Sequence, residues 1–181
     1  TRLVRDWSSD VCSSDLSSMA ESTDLKPLEL PTLTVLPEWI DYNGHMNVAY
    51  YVLAFDHGVD AFMEFIGISP SYIEQRRAST FTLEMHVSYI RELRIGDPLR
   101  LSCQLLDFDT KRVHYFLRMH HAEDDYLAAV SEQIMVHVDL ETRRSSEFPD
   151  DVRLALTNLM STHHDLPRPE KSGSVIGIRR R

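Results

Sequence analysis

The stretch that decides the fold is Asn47 to Ile66, "NVAYYVLAFDHGVDAFMEFI", with the turn in front of it, Ile40 to Met46, "IDYNGHM". Val48, Tyr51, Val52, Phe55, Val59, Phe62, Met63 and Ile66 recur at helical spacing. Tyr50, Leu53, Ala54, Ala61 and Phe65 widen that face until only Asp56, Asp60 and Glu64 make a narrow acidic stripe. A helix this apolar must be buried, and a sheet wrapped around it is the simplest cover. Gly67 and Pro70 mark its end. Gly58 in its interior costs up to about 1 kcal/mol in helix propensity, which predicts close backbone packing there.

Working outward, Thr32 to Ile40, "TLTVLPEWI", reads as a short strand, with Pro37 at an edge or bulge. Glu21 to Leu30 is polar and proline-bearing, an arm. Downstream, a polar stretch (Ser71 to Ala78) leads into four strand-like segments. In Ser79 to Glu92, Phe81, Leu83, Met85, Val87 and Tyr89 alternate with polar residues at a period of two. Leu99 to Leu105 and Val113 to Met119 repeat the pattern. So does Ala128 to Val138, where Glu132 is the odd member out. Short turns between them imply antiparallel neighbours. A last amphipathic helix is predicted over Asp150 to Met160, capped by Asp150. The expected class is α+β, an antiparallel sheet curled around one helix. Such a sheet has an open edge and mouth, so a homodimer or homotetramer is expected.

The chain of 181 residues is 43% hydrophobic and 26% charged, which suits one globular domain over 32–161, with an arm at 19–31 and a tail at 162–181. No apolar run reaches the roughly 18 residues of a membrane span. A net charge of −9 argues against a nucleic-acid surface. "DWSSDVCSSDL", Asp6 to Leu16, is similar to a translated sequencing-library adapter, so 1–18 is set apart and Met19 is the expected native start. Without Cys12 only Cys103 remains. One thiol makes no internal disulfide, and a cytoplasmic setting is expected. The nine histidines include no HExxH or Cys/His spacing, so no metal site and no cofactor are expected.

Asp41, Asn43, His45 and Asn47 crowd into seven residues at the mouth of the buried helix. Singly, Asp41 or Asn43 is a cap or turn residue and His45 an ordinary histidine. Together they favour a catalytic turn. The order of strand, "D-x-N-G-H-M-N-x-x-Y-Y", long helix and a meander with "Y-I-R-E-L-R-I-G-D" resembles the hotdog-fold acyl-CoA thioesterases. Within them it is most like the 4-hydroxybenzoyl-CoA thioesterase-like branch. The resemblance runs over about Thr32 to Leu140. "D-x-N-x-H-x-N" is also similar to the catalytic turn of plant acyl-carrier-protein thioesterases, whose further glutamate is matched by Glu92 at a different spacing. Glu92 reads equally as a site residue or a solvated strand end.

The resemblance implies a fold, an activity and a set of roles. Thioester hydrolysis needs a nucleophile or base and a positive site for the oxyanion. The helix N-terminus, with backbone amides near Gly44 to Asn47, supplies the second, at roughly 3–4 kcal/mol per well-placed donor. Asp41 is the candidate for the first, as nucleophile or as base for water. Asn43, His45 and Asn47 would orient water, Asp41 or the acyl carbonyl.

"PEWIDYNGHMNVAYYVLAFDHGVDAF" (37–62) and "TLEMHVSYIRELRIGD" (82–97) look most like thioesterases of carnitine catabolism, for which betainyl-CoA is the implied substrate. A cationic acyl group calls for aromatic faces and a carboxylate. Trp39 and Tyr42 are the cage candidates, with Tyr50, Tyr51, Phe55 and Asp56 close in sequence, although most of these aromatics also suit a core. A hotdog hydratase/dehydratase and a non-catalytic acyl-CoA sensor are the rival readings. Arg179, Arg180 and Arg181 suit either CoA phosphates across an interface or a solvated basic end.

Overall fold

The central helix, α1 (Val48–Phe65), begins where the sequence predicts and is capped by Asn47, whose side chain accepts the Ala49 amide. The computed structural model describes residues 25–178; the adapter-like segment, Met19 and the three terminal arginines lie outside it. Phe55, Phe62 and Ala54 on α1 are fully enclosed. Gly58 is the point of closest approach: a Cβ there would stand 3.1 Å from Leu101 Cδ1 and 3.4 Å from Leu30 Cδ1. The glycine is kept by this contact with the sheet and the arm.

The sheet is antiparallel throughout. Its main strands are β3 (Ala78–Tyr89), β4 (Pro98–Phe108), β5 (Arg112–His121) and β6 (Leu127–Asp139), in the order β4-β5-β6-β3. Three two-residue strands complete it. β1 (Leu28–Glu29) and β2 (Leu33–Thr34) pair with β4, and β7 (Arg144–Ser145) pairs with β6. Leu101, Cys103, Tyr115, Leu117 and Met119 turn inward, and Phe62 of α1 meets Tyr115 at 5.0 Å between ring centroids.

Several elements differ from expectation, each for a local reason. The arm joins the sheet through β1, because Leu28 and Leu30 alternate toward the core and the Leu30 amide reaches the Leu101 carbonyl. The predicted strand over Thr32–Ile40 shortens to β2. Pro37 has no amide for a ladder and instead opens a 3-10 turn, Pro37–Trp39. The polar connector is a short helix, α2 (Pro70–Arg76), with Ser69 capping and Pro70 at its first position. The last helix, α3 (Asp150–His163), runs three residues further than predicted, and Asp150 lies in its first turn rather than at the cap.

β3 departs most. A bulge between Thr82 and Glu84 swaps its faces, so Thr80 faces α1 before the bulge and Met85 and Tyr89 do so after it. Leu83, Met85 and Tyr89 are 57%, 40% and 49% exposed along an edge that pairs with no other described strand.

Candidate active site

The turn before α1 is a closed hydrogen-bonded unit. The Asp41 amide donates to the His45 carbonyl and the Gly44 amide to the Asp41 carbonyl; Gly44 takes φ +80°, which a side chain would resist. The Asp41 carboxylate accepts the Asn43 amide at 2.8 Å on Oδ1 and Asn47 Nδ2 at 3.3 Å on Oδ2. Asn47 therefore caps the helix with one atom and holds Asp41 with the other. The turn is anchored on both sides, Met46 amide to Leu93 carbonyl at 2.8 Å and Asn47 amide to Trp39 carbonyl at 2.9 Å.

These bonds narrow the expected oxyanion donors, Gly44 to Asn47, to His45 and add Val48. The amides of Gly44, Met46 and Asn47 are already used inside the protein. Among the described residues, those of His45 and Val48 have no backbone acceptor at this turn. Both residues line a cleft of about 260 Å³ together with Met46, Tyr51, Tyr89, Ile90, Arg91 and Glu92.

Glu92 thus comes to the turn, though not on a strand: β3 ends at Tyr89, and the amides of Ile90 and Arg91 both donate to the Ala128 carbonyl. Arg94 holds the Glu92 carboxylate at 2.7 Å and, with smaller contributions from His45 and Arg91, keeps its pKa below the ordinary carboxylate value. It is a half-exposed, ionised carboxylate. Asp41, Asn43 and Gly44 do not line the cleft but sit in the same turn as His45.

The aromatic residues separate into two groups. Trp39 is buried and stacks on Tyr50 at 5.8 Å, behind the turn. Tyr42 is 97% exposed and offers no enclosed face within one chain, so Trp39 and Tyr42 form no cage there. Tyr51 and Tyr89 line the cleft instead, edge to face at 5.2 Å, with the Tyr89 hydroxyl donating to the Val48 carbonyl. Burial pushes the Tyr51 hydroxyl up to about 12 against a hydrogen bond with the Leu93 backbone, so it stays protonated. The sequence places Tyr51 both on the core face and among the aromatics near the turn, and Tyr89 only on a strand; its place in the "Y-I-R-E" motif was the available signal for Tyr89. Asp56 lies apart, in a groove of about 660 Å³ between α1 and the start of β3 that also holds Asp60, Glu64 and Phe81.

The family profile of the thioesterase-like superfamily matches residues 35–156. The chain belongs to that superfamily. It is a thioester hydrolase with the hotdog fold. A betainyl-CoA thioesterase of Pseudomonas aeruginosa is 38% identical over 80% of this chain and 91% of its own length. An L-carnitine dehydrogenase/betainyl-CoA thioesterase of Rhizobium meliloti is 35% identical over 85% of this chain, which spans 31% of that longer protein. A Staphylococcus aureus protein solved in complex with CoA has a TM-score of 0.79 at 33% identity, over 84% of this chain and 97% of that one. Among the described residues, no helix of this superfamily member is long and apolar enough to cross a membrane.

Proposed function

We propose that this protein hydrolyses a small acyl-CoA thioester, betainyl-CoA, at the cleft where α1 begins. The observation that supports the site is the meeting there of two free helix-start amides, His45 and Val48, with the ionised Glu92. The thioester carbonyl lies against those amides, where the developing oxyanion gains most from the helix dipole. Asp41, fixed by the Asn43 amide and Asn47, either attacks the carbonyl, expelling the CoA thiolate and leaving an anhydride that water hydrolyses, or takes a proton from the water that attacks and displaces that thiolate. His45 and Asn43 orient the water, and Glu92 is the second carboxylate. Tyr51 and Tyr89 present aromatic faces to the trimethylammonium group, beside the negative charge of Glu92. The substrate is inferred from the betainyl-CoA thioesterases it resembles over most of its length.

The working unit we infer is a homodimer in which a second copy covers the apolar β3 edge, and the setting is cytoplasmic. A panel of acyl-CoA substrates read by free thiol, run beside enoyl-CoA hydration, tests the reaction class. Thiol release with betainyl-CoA and no hydration is expected. Hydration without thiol release, or binding with neither, would transfer the protein to the hydratase or sensor reading.

A further inference from the structure

We infer that Arg91 is the residue that takes a phosphate of the CoA moiety, held in place for it by a stack of Tyr126 on His121; this rests on the acyl-CoA reading above. The Arg91 guanidinium lies 3.9 Å over the Tyr126 ring. The other partner of that ring is the His121 imidazole, stacked at 5.1 Å and 22°. The Tyr126 hydroxyl donates to the Glu92 carbonyl at 3.1 Å, so the ring is fixed at its edge as well. His121 is in turn held, accepting the Asp124 amide at 3.0 Å, with Asp97 Oδ1 3.6 Å from its Nε2.

Two neighbouring arginines are thus put to different uses. Arg94 is paired with Glu92. Arg91 forms no ion pair among the described residues, yet it lines the same cleft as His45 and Glu92. A cation immobilised against an aromatic face and held in no direct ion pair has donors free for an anion. The demand for one is real. A chain of net charge −9 repels a polyanionic thioester, and a fixed guanidinium at the cleft offsets that locally. Stacking also spares the entropy of ordering a long exposed side chain at the moment of binding.

Calorimetry with free CoA and with pantetheine, which lacks every phosphate, reads this without relying on turnover. Arg91→Ala should weaken CoA binding at least tenfold relative to pantetheine, and Tyr126→Leu should weaken it in the same direction with Arg91 still present. In hydrolysis, the kcat/KM ratio of the CoA thioester to the pantetheine thioester should fall by the same factor in R91A, through KM. Arg144→Ala, on β7, should keep the wild-type ratio. A CoA affinity in R91A within twofold of wild type, or equal losses on CoA and pantetheine, would overturn the assignment. Tight CoA binding by a wild-type protein that releases no thiol would instead count against hydrolysis and leave Arg91 in its role.

Discussion

At Asp41 a single carboxylate is tied to the amide of Asn43 and the side chain of Asn47, and Asn47 is also the cap of α1. The proposed reacting group and the start of the helix are therefore one construction. Asp41→Asn keeps the size of the side chain but removes its charge and basicity. It should lower kcat by at least about a hundredfold, as the loss of a principal acid–base or nucleophilic group does, with the thermal midpoint near wild type. Turnover within a few fold of wild type would move the chemistry to Glu92. A single turnover in oxygen-18 water then separates the two routes open to Asp41, since label in the enzyme means the carboxylate attacked the thioester itself.

At the scale of elements, α3 packs Val152, Leu156 and Leu159 into the same core as α1, and the segment after it reaches back to β6. Leu105 donates its amide to His163 Nδ1 at 2.9 Å, which fixes the end of α3 to β4. Further on, Glu132 accepts the Ser172 hydroxyl at 2.8 Å, the Gly173 amide at 2.6 Å and a contact from His114 at 2.9 Å. That explains the one charged residue in an otherwise apolar strand pattern. Burial raises the Glu132 pKa, but the Gly173, Ser172 and His114 contacts outweigh it and hold the carboxyl below its ordinary value. A depressed carboxylate stabilises the fold above its unfolded pKa and stops doing so as pH falls through its folded one. Glu132→Gln should therefore cost about 1–2 kcal/mol by denaturant titration at neutral pH, a difference that shrinks below about pH 4. Equal stability of the two proteins at pH 7 would mean that the tail contact contributes nothing.

How much of this was legible depended on the length of the pattern. α1 could be read because eighteen residues repeat one period and the closing Gly67 is plain. α2 could not, because seven residues are too few for a period, although Ser69-Pro70 carried the cap signal. The β3 alternation was correct as a pattern and misleading as a face, since a one-residue bulge swaps sides without leaving a mark in the sequence. Asp41 and Asn47 stand six apart and were visible as a unit. The amides that remain free at His45 and Val48, and the arrival of Arg91 beside them, depend on where the Ile90–Asp97 segment folds back, and this is a tertiary matter.

For the whole molecule, the exposed β3 edge bears on assembly. Leu83, Met85 and Tyr89 leave apolar surface along an edge that pairs with no other described strand, a combination that the proposed second copy would cover by extending the sheet. Sedimentation at assay concentration should give a dimer, and a charge placed on that edge, Leu83→Lys, should weaken it. A fully active monomer would refute the arrangement. Histidine burial sets a second global property. His137, bonded to the Tyr72 hydroxyl at 2.8 Å, and His163 are both held below the ordinary histidine pKa by burial. The unfolded chain then binds more protons as pH falls through about 6.5, so stability should decline below that value.

The most direct test of the proposed function compares betainyl-CoA with 3,3-dimethylbutyryl-CoA, which replaces the quaternary nitrogen by carbon at nearly the same shape. Two cation–π contacts of roughly 0.5–2 kcal/mol each predict about a fivefold to several hundredfold higher kcat/KM for the cationic ester. Equal efficiency on the pair, or preference for the neutral ester, would contradict a cation-reading cleft at Tyr51 and Tyr89.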